Sequence, residues 1–250
     1  MSGHNKWANI KQRKGSQDAK RSNLFSKIVK EIIITARRGG GNIDTNAALR
    51  TAVEKAREAN MPKDNIDKAI KRGTGEIEGV VYEELTYEGY GPGGVAVIMD
   101  ITTDSKNRTA AEIRKIFSKH NGNLGESGSV AWMFDKKGYI AVDGTKHTED
   151  EIMEIGLELG ADDIKKNDDV IEVLTAVEDY SAVLLGLKSK NVTILSSEVT
   201  RIPQNTVKLE RDKALTLLKL MDELENHDDI QNAASNADID DSVFEEFAGS

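Results

Sequence analysis

The sequence contains no cysteine, which removes disulfides, thiol nucleophiles and thiolate metal sites together and fits a reducing interior. Its four histidines, His4, His120, His147 and His227, are scattered, and none is paired at i, i+4 with a glutamate between, so no zinc site is expected. No apolar run approaches the ~20 residues needed to span a bilayer. There is no G-x-x-x-x-G-K-S/T phosphate loop and no serine in a nucleophile elbow. No carboxylate pair stands out from the 43 acids as an acid-base couple. The reading is of a chain with no catalytic residue, no metal, no cofactor, no membrane and no small-molecule substrate. Its start, MSGHNKW, has basic residues without an apolar stretch behind them, and it lacks the long Arg- and Ser-rich leader of organelle import. A cytoplasmic, bacterial protein is expected.

What is present is charge asymmetry. The first forty residues hold ten Lys or Arg against only Asp18 and Glu31. To residue 75 the balance is 17 basic against 7 acidic; residues 76–250 then carry 17 basic against 36 acidic, in a chain of net charge -9. Clustered cations beside Trp7 and amides such as Asn5, Asn9 and Gln12 suit a phosphate backbone, since each neutralised phosphate releases condensed counterions. The plainer alternative is a solvated basic tail. Lys6, Lys11, Arg13, Lys14, Lys20 and Arg21 surround few apolar side chains, chiefly Trp7, Ala8 and Ile10, too little to pack as a core, so residues 2–21 read as an arm that orders on a partner. Trp7 either stacks on a base or staples the arm to the helices that follow.

Leu24, Phe25, Ile28, Val29, Ile32, Ile33 and Ala36 share one side of a 3.6-residue period, with Lys27, Lys30, Glu31, Arg37 and Arg38 on the other, an amphipathic helix stopped by Gly39–Gly41. Asp44 or Thr45 is expected to cap a second helix with the stripe Ala48, Leu49, Ala52, Val53 and Ala56. A third begins near Pro62, buries Ile66, Ala69 and Ile70, and ends at Gly73 after Lys71 and Arg72. From residue 80 the period changes. YEELTYEGYG and VAVIMDITTD read as strands, Asn107 to His120 as a helix opened by a capping box from Thr109 to Glu112, and Val130 to Phe134 as a strand. Residues 137–202 then read βαββαβ, the ferredoxin-like order.

The fold class is therefore multi-domain, α and α+β: a helical N-terminal domain and two α+β domains, one ferredoxin-like and inserted in the other. Boundaries fall at 1–78 for the basic helical domain with its arm, 79–135 with 204–240 for the discontinuous domain, 136–203 for the insert, and 241–250 for a frayed acidic tail. GYGPGG matches G-x-G-x-x-G, but a strand follows it and Pro92 lies inside, so it reads as a hairpin loop. His120 is expected to face water at a helix end, and His227, Asp228 and Asp229 to form a solvated helix end.

The segments GHNKWANIKQRKGSQDAKRS, ARRGGGN, ANMPKDNIDKAIKRGTGE, YEGYGPGGVAVIMDITTD, NRTAAEIRKIFSKHNGNLGESGSVAWMF and HDDIQN resemble the YebC family over nearly the whole chain. That resemblance implies three domains, one inserted in another, and a non-enzymatic role in gene expression. The role is either at promoter DNA or on the ribosome, where family members are associated with relief of stalling; the family includes the mitochondrial translational activator of cytochrome c oxidase subunit I. Asn23 follows KRS where a glycine is common, and ASNAD stands where an aromatic often precedes SNAD. The candidate nucleic-acid contacts are Lys6, Trp7, Lys11, Arg13, Lys14, Lys20 and Arg21 in the arm, and Lys27, Lys30, Arg37, Arg38, Lys71 and Arg72 on the helices. Ribosomal RNA on the ribosome is the favoured partner, because no recognition helix rich in base-reading Asn, Gln and Arg is visible and an acidic body suits duplex DNA poorly. A DNA-binding transcriptional regulator is the alternative, and an acidic scaffold for basic proteins the third.

Overall fold

The computed structural model describes residues 17–249, with side chains from Arg21 onward. Helices α1 (Gln17–Gly39), α2 (Ala47–Glu58) and α3 (Lys63–Thr74) come first. They bury Ile28, Ile32, Leu49, Ala52, Ala56 and Ile66 in a common core. Helix α1 starts well before Leu24, because its first turns are polar and leave no apolar period to read.

Asn46, rather than Asp44 or Thr45, caps α2. Its Oδ1 accepts the Leu49 N–H at 3.1 Å, while Nδ2 donates to the Thr35 and Gly40 carbonyls, each at 2.9 Å. One buried amide thus satisfies end groups of two helices, which a carboxylate or hydroxyl cannot do with the same two-sided geometry. Helix α3 runs past Gly73 to Thr74 and stops at Gly75, whose φ of 82° is the left-handed cap. Gly73 instead faces α1, where an added Cβ would lie 2.6 Å from both the Ala36 Cβ and the Ile33 carbonyl oxygen. Its lack of a side chain lets the two helices touch.

The middle sheet has the order β3-β1-β2-β9, from β1 (Glu83–Tyr90), β2 (Ala96–Thr103), β3 (Asn123–Leu124) and β9 (Ile230–Ser235). Strands β1 and β2 pair antiparallel from Glu83↔Thr103 to Tyr90↔Ala96, and the glycine run is their connecting loop. Strand β2 is covered on both faces. Val97, Met99 and Ile101 share a core with α4 (Lys106–Lys119), α7 (Arg211–Glu225) and α8 (Asp241–Gly249), while Ala96 and Ile98 pack with Val130, Phe134 and Ala234. This double burial is why VAVIMD shows no alternation. Val130 to Phe134 is not a strand: a 3₁₀ turn, Ala131–Met133, leads into β4 (Phe134–Asp143). Val130 and Phe134 still enter the core beside Ala96 and Ile98, and an i, i+4 apolar pair fits one face of a strand as well as one side of a turn, so the spacing alone did not separate the two.

Between the two parts of that layer lies β4-α5-β5-β6-α6-β7, with α5 (Glu149–Leu159), β5 (Asp163–Asn167), β6 (Val170–Thr175), α6 (Tyr180–Ser189) and β7 (Ile194–Pro203). Its sheet runs β5-β6-β4-β7, antiparallel throughout, which is the ferredoxin-like arrangement. Phe134 and Pro203 are paired across β4 and β7, so the chain enters and leaves the insert at one point. Short strands β8 (Val207–Lys208) and β10 (Ala237–Asp238) pair in parallel beside the middle layer. Among the described residues no helix is long and apolar enough to cross a membrane.

The C-terminal segment is not frayed. Residues Asp241–Gly249 form α8, and Val243, Phe244 and Phe247 are buried in the main core. Their i, i+1, i+4 spacing makes an apolar stripe that the surrounding acids mask in composition but not in packing. Phe244→Ala should therefore lower the unfolding free energy by about 3–5 kcal/mol in a urea titration. A loss within about 0.5 kcal/mol, the range of a surface change, would mean that the helix does not dock.

Candidate nucleic-acid interface

Lys6, Trp7, Lys11, Arg13 and Lys14 lie outside the described residues, and Lys20 lies on α1 with its side chain outside them. Arg21 is exposed, its guanidinium 5.3 Å from the Phe25 ring centroid one turn on. The remaining cations divide into two groups.

The first group is engaged inside the molecule. Asn23, Lys27 and Lys30 follow one another at i, i+4 and i+7 along α1 and meet the C-terminal end of α7, where helix carbonyls lack partners and the dipole is negative. Asn23 donates to the Asn226 carbonyl, Lys27 Nζ to that of Glu225 at 2.6 Å, and Lys30 Nζ to that of Asp228 at 2.8 Å. Lys30 also pairs with Asp229 Oδ1 at 2.6 Å and is only 6% exposed. Lys30 is thus withdrawn from any phosphate, and Lys27 is half-buried in the same seam. The polar face of α1, legible as a solvent face, is a second packing face. Arg37 donates to the Tyr82 carbonyl at 2.9 Å and Arg38 pairs with Glu84, both at the junction of the helices with β1.

Asp229 organises this junction. Its Oδ1 accepts from Lys30, and its Oδ2 accepts from Thr109 Oγ1 at 2.7 Å, Arg108 Nη2 at 2.8 Å and Thr103 Oγ1 at 3.2 Å. Burial works against the charge, but the bonds from Lys30, Thr109 and Arg108 outweigh it and hold the carboxyl far below the usual carboxylate range. The same bonds, Asp229 foremost and Asp104 next, hold the Arg108 guanidinium protonated. Thr109 therefore does not cap α4. The cap position is Ser105, without a side-chain bond, and Thr109 turns inward to the carboxylate.

Glu112, His227 and Asp229 come close enough to suggest a cation site. Their bonding argues against one. His227 Nδ1 accepts the Asp229 N–H at 3.1 Å, which leaves the ring proton on Nε2, 2.9 Å from Glu112 Oε2. With both Asp229 oxygens also taken, neither ring nor carboxylate offers the free lone pairs that a metal needs. Asp229 is 4% exposed and His227 half-buried, so these two anchor inward, and only Asp228 faces solvent as a helix end would. His120 is likewise withdrawn from water, 9% exposed with Nε2 2.7 Å from Glu223 Oε2, which Lys119 also approaches at 2.8 Å.

The second group of cations is free. Lys71 and Arg72 are exposed on the outer face of α3, and Lys63, Lys68 and Arg57 are exposed with them. None of the five has an ion pair among the described residues. Arg57, Lys63 and Lys68 were missed in the sequence because interleaved Glu58, Asp64 and Asp67 mask them; the i, i+3, i+4 spacing of Lys68, Lys71 and Arg72 was the available signal.

Residues 5–76 match the family model described as the TACO1/YebC protein N-terminal domain, and residues 82–237 match that of the TACO1/YebC second and third domain. A Dictyoglomus turgidum protein named "Probable transcriptional regulatory protein" is 56% identical over 246 residues, 98% of this chain and 99% of that one. One of the same name from Syntrophobacter fumaroxidans is 55% identical over 249 residues, covering 99% of this chain and 100% of the other. The crystal structure of a conserved hypothetical protein from Aquifex aeolicus superposes with a TM-score of 0.81 at 44% identity, over 90% of this chain and 93% of that one.

Removing the Asp229 carboxylate strands the buried Lys30, while Arg108 keeps Asp104, so Asp229→Ala should cost about 3–5 kcal/mol of unfolding free energy near neutral pH. Because the folded-state pKa is depressed, this contribution is fully present above the unfolded value of about 3.9 and is lost as pH falls from there toward the folded value. The gap between parent and variant should close on acidification through that window; a gap that stays constant would refute the charged network.

Proposed function

The chain belongs to the TACO1/YebC family, and on that premise we propose that it is a non-enzymatic, nucleic-acid-binding regulator of gene expression that grips phosphates with its helical domain. The observation that carries this reading is the unpaired cationic face of α3, Lys63, Lys68, Lys71 and Arg72, on a chain otherwise rich in acid. Those side chains need no internal partner, and counterion release makes each available for a phosphate. Lys6, Lys11, Arg13 and Lys14 of the arm, with Trp7, add to the same charge, as do Lys20 and Arg21 at the start of α1. Its mechanism is positional: the head binds, and the acidic body restricts how the molecule lies.

The favoured target is structured RNA of the translation machinery, in keeping with relief of ribosomal stalling. The α3 outer face offers Lys, Arg and two Asp but only one amide, Asn65, which suits backbone and shape recognition better than reading base edges in a major groove. Transcriptional regulation at DNA is the second reading, and the names carried by the relatives favour it.

Filter binding of ribosomal RNA, whole ribosomes and duplex DNA at physiological salt separates the two targets, and tighter binding to duplex DNA would overturn the RNA preference. If each cation meets one phosphate, the combined change Lys68→Ala, Lys71→Ala, Arg72→Ala should flatten the slope of log affinity against log salt by roughly 2–3 with little change in melting. An unchanged slope would remove α3 from the interface. The arm change Lys11→Ala, Arg13→Ala, Lys14→Ala should flatten it by a similar amount, roughly 2–3.

A further inference from the structure

Trp132 stands 68% exposed, on the turn that leads from the middle sheet into the ferredoxin-like insert. A large aromatic ring in water is uncommon, and its surroundings fix it in place. The segment before it is clamped by Glu88 of β1, 3% exposed, whose carboxylate accepts the Gly128 N–H at 2.6 Å and those of Val130 and Ala131 at 2.7 Å each. Burial opposes the Glu88 charge, but these three bonds, with Arg201 nearby, hold its carboxyl below the usual range. The indole Nε1 donates to the Ser129 carbonyl at 3.2 Å, and Tyr90 Oη donates to the same oxygen at 3.2 Å. The ring's polar edge is therefore satisfied on its own turn. What remains open is its π face.

The patch around the ring differs from the rest of the body. Residues 121–134 contain a single charged side chain, Glu126, and residues 203–207 contain none. Gln204 joins this patch, its N–H donating to the Met133 carbonyl at 2.9 Å. Gln204 is an exposed amide whose Nε2 donates to Asp135 Oδ1 at 3.2 Å and whose side-chain carbonyl is left to solvent. An anchored indole in a window of low charge, with the Gln204 amide beside it, matches a nucleobase: the π face stacks on any base, the amide can meet a base edge, and a phosphodiester strand meets less repulsion than elsewhere on the body. A cationic side chain would find there only Glu126 and Asp135, whose Oδ1 already accepts from Gln204 Nε2 at 3.2 Å.

We infer that Trp132 is a stacking platform for an unpaired base of a single-stranded nucleic acid, a second contact on the α+β body separate from the cationic face of α3. This inference rests on the nucleic-acid reading above. The chain has two tryptophans, Trp7 and Trp132, so in a Trp7→Phe background the indole fluorescence reports Trp132 alone. The probes are adenine-rich oligonucleotides as single-stranded RNA, single-stranded DNA and duplex, with binding followed independently by anisotropy of a labelled strand.

The expected result is quenching of Trp132 by one or both single strands and not by duplex. In the same background Trp132→Ala should weaken single-strand binding by roughly 5- to 150-fold, the span of one lost base stack. Its salt slope and melting temperature should not change, because stacking neutralises no phosphate and the ring is mostly exposed; Trp132→Phe should restore most of the affinity. Single strands that bind with neither quenching nor any effect of Trp132→Ala would overturn the platform while leaving the α3 interface standing. Equal quenching by duplex would also overturn it. If no nucleic acid binds at all, the proposed function falls and the platform with it.

Discussion

A carboxylate that is 4% exposed has to be neutralised from nearby or it destabilises the fold, and Asp229 draws that neutralisation from three places. Lys30 comes from α1, Thr103 from β2, and Arg108 and Thr109 from α4. The Asp229 carbonyl also accepts the Thr102 N–H at 2.8 Å, at the edge where β9 pairs with β2. The orientation of the helical domain on the middle sheet is thus tied to the strand that the chain adds only after passing through the whole insert. Lys27 and Asn23 reinforce the tie by satisfying the C-terminal carbonyls of α7, an interaction in which charge, dipole and unmet hydrogen bonds favour the same geometry.

That arrangement sorts the cations by function. Those on α1 hold the molecule together, and those on α3 are left to face outward. A second tie runs from α2 to the insert, where Lys188 meets Glu58 at 2.7 Å, and α2 is joined to α1 by Lys55 and Glu31 at 3.0 Å. Both α+β domains therefore brace the helical domain from sides other than the outer face of α3. Along the chain the helical domain is net basic and residues 76–250, with 36 acids against 17 bases, are net acidic. A polyanion approaching the acidic side is repelled, so one orientation of encounter is favoured before any specific contact forms.

The amphipathic period gave α1, α2 and α3 in the right order, and the insert has the βαββαβ order expected of residues 137–202. These elements have strong local signals: capping residues, a sustained stripe and a bounding turn. The βαββαβ order was legible because strand and helix periods alternate without ambiguity. The errors fell where a residue's partner is remote. Thr109 has the right spacing for a capping box, yet it bonds to a carboxylate 120 residues away. Gly73 and His120 were each given the local role their type favours, Asn46 was passed over for Asp44 or Thr45, and all three serve contacts between elements.

The sequence by itself determined the fold class, the insertion, the basic head and the family, because periodicity, charge and motif order are properties of the chain read in one dimension. It could not distinguish a lysine left in solvent from one that closes a helix end, since Lys30 and Lys71 look alike in a string of residues. Only the tertiary structure decided that Lys30 is buried against Asp229 and Lys71 is exposed. The physical reason is that the availability of a charge is set by its desolvation and its partners, and both are fixed when distant elements pack together.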